Sequence, residues 1–151
     1  MKLLLLNFLL FFNLYYAQEL NASHMTEIAQ HEFADLDGIM ISRFGFKRVE
    51  DIEDVNQKVY TNDNDNTEKL MVITVIKNPK ACSNILSIVN GSAARITRLK
   101  EELPKEGYQY AGKKKMSEDI LVSQFTKENM TVSVTDHVTG IGAYQILLTC
   151  R

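Results

Sequence analysis

The amino-terminal segment most constrains this chain, because it decides the compartment in which the remaining residues fold. After Met1 and Lys2, residues 3–12 are almost entirely Leu and Phe, and the apolar character ends near Ala17. One positive charge, a short apolar run and a small residue are typical of a secretory signal peptide. A bilayer span needs roughly 20 apolar residues. We therefore expect cleavage after Ala17 and a secreted or periplasmic protein; an uncleaved interfacial anchor or a buried helix is the alternative.

Export changes the interpretation of the two cysteines, Cys82 and Cys150. An even pair in an oxidising compartment predicts a disulfide bond. Closing such a long loop would stabilise the fold by about 4 kcal/mol. Two buried free thiols are one alternative. A redox pair is another, although redox cysteines usually stand close together in sequence.

Charge is unevenly distributed along the chain. Residues 18–68 carry 12 acidic and 4 basic side chains, whereas residues 69–151 carry 12 basic and 7 acidic ones. Two halves that face each other, or a simply solvated surface, would account for this pattern. A bipolar surface that steers a charged partner is the sharper interpretation. A net negative mature chain with scattered bases argues against nucleic-acid binding.

A first helix is predicted in the acidic half. Its apolar residues recur on one helical face, namely Ala29, Phe33, Leu36, Met40 and Phe44. Gly45 is well placed to end this helix in the left-handed conformation. A hairpin follows, with strands over 57–61 and 70–76 and a polar tip between them. The second of these strands is apolar on both faces, which favours a central position in a sheet.

A second helix is predicted to begin at Asn78-Pro79, because Asn caps helices and Pro suits their first turn. Its apolar positions again share one face, namely Ile85, Val89, Ser92, Ile96, Leu99 and Leu103. Pro104 and Gly107 close it. Four strands are predicted after it, over residues 108–114, 120–126, 130–138 and 143–149. The strand over 130–138 alternates apolar residues with Thr and Ser, as half-buried strands do.

These elements predict a single α+β domain over residues 25–151, with two main helices packed on a mainly antiparallel sheet. A flexible segment at 18–24 would join this domain to the signal peptide at 1–17. Each half of the chain has a helix that ends at Gly plus an aromatic residue, then a charged stretch and two strands. This shared order is compatible with a duplicated helix-strand-strand unit.

No motif for catalysis, for a cofactor or for a metal stands out in the sequence. His24 and His31 are seven residues apart, whereas zinc ligands on a helix are usually four apart. Counting from Asp63, a calcium loop of the EF-hand type would need Gly at its sixth position and Glu at its twelfth. The sequence has Glu68 and Thr74 there. We therefore predict no catalytic, cofactor-binding or metal-binding residue; a noncanonical calcium site in the loop that begins at Asp63 is the alternative.

The expected function is a non-enzymatic one, in which the exported domain binds a protein or an envelope component. Its candidate binding surface combines Lys113, Lys114 and Lys115, which suit an edge strand, with the acidic connector at 50–54. A small hydrolase or metal-dependent enzyme with a dispersed site is one alternative, and an immunity or inhibitor protein is another. After signal cleavage, no further apolar run in the sequence is long enough for a membrane span.

Overall fold

One antiparallel sheet of eight strands dominates the structure, a computed structural model that describes residues 19–151. The predicted signal peptide lies outside this range. The strands are β1 (Lys47–Arg48), β2 (Gln57–Thr61), β3 (Met71–Lys77), β4 (Asn84–Asn90), β5 (Gln109–Ser117), β6 (Ile120–Lys127), β7 (Met130–Thr135) and β8 (Tyr144–Cys150). Their order across the sheet is β1-β2-β3-β4-β8-β7-β6-β5. The first half of the chain therefore forms one side of the sheet, the second half forms the other, and β4 and β8 meet in the middle.

Two α-helices accompany the sheet, α1 (Ala22–Gln30) and α2 (Ala93–Lys105), and three short helical segments lie at 33–35, 38–43 and 50–52. Each α-helix begins at a side chain that accepts a hydrogen bond from a backbone N–H of the first turn. Asn21 does so for α1 at 2.8 Å and Ser92 for α2 at 3.3 Å. None of the helices between residues 19 and 151 has the length and apolar character that crossing a bilayer requires.

The sheet corrects the predicted fold, because two main helices packed on a sheet are not what these residues form. The predicted second helix begins at Ala93 and not at Asn78-Pro79, and residues 84–90 of the predicted helix form strand β4. The spacing of apolar residues by four suggested a helix there, but buried and half-buried side chains alternate along the same segment, as they do in a strand. Leu86 and Ile88 are fully buried in the core, and the Asn84 amide donates to the carbonyl oxygens of Ile28 and His31 at 2.7 and 2.8 Å. These tertiary contacts favour the strand.

The predicted first helix is interrupted, since α1 ends at Gln30 and only short helical segments follow. The predicted apolar stripe is nevertheless buried as a whole, from Ala29 to Phe44. Gly45 has a φ of 74° and ends the helical region as predicted. The repeat predicted for each half, a helix followed by two strands, is also wrong, because each half supplies a helix followed by four strands.

The core lies between the helical segments and one face of the sheet. Strand residues in it include Tyr60, Met71, Ile73, Val75, Leu86, Ile88, Phe125, Met130, Val132, Val134, Ile146 and Leu148. Helical residues in it include Met25, Ile28, Leu36, Met40, Ile96, Leu99 and Leu103. Burying this apolar surface is the main favourable contribution to folding.

The predicted disulfide bond is present between Cys82 and Cys150, whose Cα atoms are 5.7 Å apart. Cys82 lies just before β4, and Cys150 is the last residue of β8. The bond therefore joins the two halves of the chain at the central strand pair.

Candidate binding face

The side of the sheet turned away from the core, here called the outer face, carries eighteen side chains from six adjacent strands. Strand alternation and the pairing register place them on this side. They are Gln57, Val59, Thr61, Val72, Thr74, Ile76, Ile85, Ser87, Val89, Val122, Gln124, Thr126, Thr131, Ser133, Thr135, Gln145, Leu147 and Thr149. None of the eighteen is charged, in a chain of which 24% is Asp, Glu, Lys or Arg.

The side chains of the outer face are buried or half-buried, and none of them belongs to the core cluster. Aliphatic groups are concentrated on β2, β3 and β4, where Val and Ile alternate with the core residues. Hydroxyl and amide groups predominate on β6, β7 and β8. Because no ion has to be desolvated, another surface can cover this face without the large cost of burying a charge.

A cleft of about 180 Å³ lies in the outer face between β6, β7 and β8. Its apolar walls are formed by Met116, Ile120, Val122 and Leu147, and Ser133, Thr135 and Gln145 supply polar groups. Met116 is exposed at the cleft. Apolar walls with a few polar groups are the usual lining of a site that accepts an apolar group and orients it.

A larger cleft of about 290 Å³ lies beside the disulfide bond, next to Phe33 and Lys77. The Lys58 and Lys77 ammonium groups lie 5.4 and 5.9 Å from the centroid of the Phe33 ring. These distances allow cation–π attraction within the fold. The Phe33 ring is buried, and the other residues that line this cleft are Glu32, Asn78, Pro79, Ala81, Cys82 and Ser83.

Asp136 is a buried carboxylate directly after β7, with a side chain that is 7% exposed. Lys100 of α2 lies 2.7 Å from its Oδ1 and Lys113 of β5 lies 2.9 Å from its Oδ2. The Ser123 hydroxyl donates to Oδ1 at 2.6 Å. Although burial alone would raise the pKa of Asp136, these three donors hold it well below its usual range. Asp136 therefore stays ionised at neutral pH and attaches α2 to the sheet.

A comparable network in the first half is built around Asp37. The Tyr60 hydroxyl donates to Asp37 at 2.6 Å, and Arg48 contacts both Asp37 and Glu53 at 2.7 Å. Burial acts to raise the pKa of Asp37, but the Tyr60 hydrogen bond and the charges of Lys58 and Arg48 lower it overall. Burial, followed by the hydrogen bond to Asp37, raises the pKa of Tyr60. These groups bind one another, so the network stabilises the fold.

The predicted lysine surface lies on β5, which is an edge strand as expected. Lys113 is paired with Asp136, whereas Lys114 and Lys115 are exposed. The acidic connector 50–54 lies between β1 and β2, at the opposite edge of the sheet. The width of the sheet therefore separates the two parts of the predicted surface within one copy of the chain.

His24 and the acidic loop have local partners. The rings of His24 and Phe44 lie 4.3 Å apart, and Asp63 forms an ion pair with Lys47. Across residues 19–151, no three His, Cys, Asp or Glu side chains come together in a way that could bind a metal ion.

Sequence reasoning missed the outer face, although a signal for it was present. Thr131, Ser133 and Thr135 were expected on the solvent side of a half-buried strand, but all three are buried. The useful signal is the absence of Asp, Glu, Lys and Arg at the same alternate positions of six strands. It becomes visible only when the strand order is known.

No family model, no curated protein and no solved structure matches this chain. The outer face is therefore interpreted from its own chemistry.

Proposed function

We propose that this chain is an exported, non-catalytic domain that binds protein through its outer face. The observation that carries the proposal is the run of eighteen uncharged side chains over six adjacent strands. Solvated faces of antiparallel sheets usually show polar and charged residues at such alternate positions. Seven of the eighteen are Val, Ile or Leu, and apolar groups that are contiguous on a surface are typical of a site that another molecule covers.

The chemistry of the outer face favours protein over other macromolecules. A nucleic-acid backbone is neutralised by Lys and Arg, and single strands stack on aromatic rings. Membrane-surface segments use basic and aromatic side chains. None of the eighteen side chains belongs to these classes. Val, Ile and Thr are the side chains that pack well on the pleated surface of another sheet.

The disulfide bond supports the export part of the proposal. Cys82 and Cys150 are bonded and close a separation of 68 residues. Disulfides of this structural kind persist in the periplasm and outside the cell and are rare in the cytosol.

The buried carboxylates support the non-catalytic part. Asp136 and Asp37 both accept from side chains of their own fold, at distances of 2.6 to 2.9 Å. A general acid or base must instead lie within hydrogen-bond reach of a substrate. The same groups explain how the helical segments attach to the sheet.

Ser87 lies in the middle of the outer face and allows a direct test. We expect Ser87→Arg to abolish capture of protein partners by tagged residues 18–151, because it places a charge within the contact. Ser42→Arg is the matched control, since Ser42 is exposed in the helical segment 38–43. Affinity capture followed by mass spectrometry measures the outcome, with circular dichroism to check folding. Identical captured proteins for both variants would contradict the proposal.

A further inference from the structure

We infer that the edge strand β5 binds an acidic, extended segment of another protein by strand addition, so that this segment becomes a further strand of the sheet. This surface is separate from the outer face of the proposed function. Three observations carry the inference: the open backbone of β5, its exposure to solvent, and the positive charge of its regular stretch.

Strand β5 is the longer of the two edge strands of the sheet. It runs from Gln109 to Ser117 and has a neighbour, β6, on one side only. In an antiparallel pair every second residue turns its N–H and C=O away from the neighbouring strand, so these groups of β5 face the open edge. None of the nine residues of β5 is buried. Its backbone and its side chains are therefore accessible to an incoming strand.

The regular part of β5 is also its basic part. The pairing of β5 with β6 is irregular between Tyr110 and Gly112 and again between Lys115 and Ser117. Such irregularities twist an edge strand and shorten the length over which another strand can pair with it. An added strand therefore pairs mainly with the stretch 112–115, which contains three consecutive lysines.

These lysines place positive charge on both sides of the strand. Lys114 pairs with Val122 and lies on the side of the outer face, whereas Lys113 and Lys115 lie on the core side. Lys114 and Lys115 are exposed, and the Lys113 side chain remains 57% exposed although it contacts Asp136. Consecutive side chains of an incoming strand alternate in the same way. Three consecutive acidic residues would therefore meet the three lysines, and opposite charges at facing positions stabilise paired strands.

The same charges argue against a second copy of this chain at β5. Two β5 strands paired edge to edge would set the lysines of one copy against those of the other, and facing like charges are destabilising. The other edge strand, β1, consists of Lys47 and Arg48 and is also basic. Lysines on an edge thus oppose pairing between identical chains and leave the edge open to an acidic partner.

The positive charge ends with the strand, since Glu118 and Asp119 form the turn that follows β5. The acidic residues of the partner therefore belong opposite 113–115 and not beside this turn.

A first test measures peptide binding to oxidised residues 18–151 by fluorescence anisotropy. The probe is a labelled peptide as long as β5, made of Thr and Val with three consecutive Glu at its centre. We expect saturable binding of this peptide. A peptide with Gln in place of Glu should bind roughly tenfold more weakly, and one with Lys should not bind. No binding of the Glu peptide, or equal binding of the Gln peptide, would overturn the inference.

A second test separates strand addition from charge attraction alone. Two forms of the Glu peptide carry N-methyl groups on alternate residues, one form on the odd positions and the other on the even positions. In a paired strand one of these sets faces β5, where methylation removes the hydrogen-bond donors, and the other set faces solvent. We therefore expect one form to bind and the other to fail. Equal binding of both forms would overturn strand addition. A thymidine oligonucleotide that binds β5 at least as tightly as the Glu peptide would overturn a protein partner.

A third test changes exposed residues of the protein. Lys114→Glu with Lys115→Glu should reverse the preference, so that the Lys peptide binds and the Glu peptide does not. Lys69→Glu with Lys80→Glu is the matched control, because it makes the same change of charge in exposed loops outside β5. This control should still prefer the Glu peptide, and circular dichroism checks the folding of both variants. An unchanged preference in the β5 variant, or the same reversal in the control, would overturn the assignment to β5.

Discussion

Both halves of the chain attach a helical segment to the sheet through a carboxylate, but the carboxylate belongs to a different element in each half. In the first half the carboxylate belongs to the helical region: Asp37 accepts from Tyr60 and Arg48 on the strands. In the second half the carboxylate follows a strand: Asp136 contacts Lys100 on α2. In both halves a buried or partly buried carboxylate links a helical segment to the sheet.

The halves differ in how exposed that carboxylate is and in whether a second carboxylate contacts the same basic side chain. The side chain of Asp37 is 37% exposed, and Glu53 also binds Arg48. Asp136 is 7% exposed, and among residues 19–151 it is the one carboxylate that contacts Lys100, Lys113 and Ser123. Loss of the charge on Asp136 leaves donors in the second half without a partner, so we expect that half to be more sensitive to substitution and to acid.

The largest effect should come from removing the disulfide bond between the two halves. Cys82→Ser with Cys150→Ser removes the bond between them and should lower the free energy of unfolding by about 4 kcal/mol, because the unfolded chain gains the freedom of a long loop. Urea denaturation measures this. The natural chain with and without reductant is the control. A loss below about 1 kcal/mol would contradict this expectation.

An intermediate effect is expected in the second half. Asp136→Asn should lower the free energy of unfolding by about 2 kcal/mol at neutral pH, because charge-assisted hydrogen bonds are lost inside the fold. Asp37→Asn is the matched substitution in the first half and should cost about half as much, since Glu53 keeps Arg48 paired. Equal losses in the two variants would contradict the comparison between the halves.

The pH dependence of the stability of Asp136→Asn tests whether the ionised Asp136 carboxylate causes this loss. The pKa of Asp136 is lower in the folded chain than the unfolded value of about 3.9. Its stabilisation is therefore fully present above about pH 4 and is lost as the pH falls towards the folded-state pKa. The difference in the free energy of unfolding between the natural chain and Asp136→Asn should therefore become smaller below pH 4. A difference that stays constant across this range would exclude ionisation of Asp136 as its origin.

The smallest effect belongs to a hydroxyl group in the first half. Tyr60→Phe removes the donor to Asp37 and should lower the free energy of unfolding by about 1 kcal/mol, the usual net value of one hydrogen bond. Tyr110→Phe is the control, since Tyr110 is exposed at the sheet edge, and it should leave stability unchanged. Thermal denaturation monitors both. A larger loss in Tyr110→Phe than in Tyr60→Phe would contradict this assignment.

The strands could largely be predicted from sequence because alternation and turn residues are local signals. β2 occupies the predicted residues 57–61, and β6, β7 and β8 begin within one residue of their predicted starts. The segment 84–90 could not be predicted in this way. Apolar residues on both of its faces fit a helix and a strand equally well, and the contacts of Asn84 with α1 that favour the strand are distant in sequence.

The disulfide bond could be predicted, because the predicted export and the even number of cysteines were enough. The outer face could not be predicted, since it combines strands from both halves and local sequence patterns do not reveal the order of the strands in the sheet. The pairing of Asp136 with Lys100 and Lys113 was missed for the same reason. Asp136 was expected within a strand, whereas β7 ends at Thr135, and its partners come from α2 and β5.

The central position of β8 has a consequence for the order in which the sheet forms. The strands β1 to β4 and the strands β5 to β8 are each consecutive in sequence and can pair early, but β4 and β8 come from different halves and pair only when the two sets meet. Until then, β4 and β8 expose unpaired backbone groups that can join other chains. Closing long loops makes such a final step slow. A chain that stopped before Tyr144 would keep two open strand edges and an unpaired Cys82 thiol, and we expect it to aggregate.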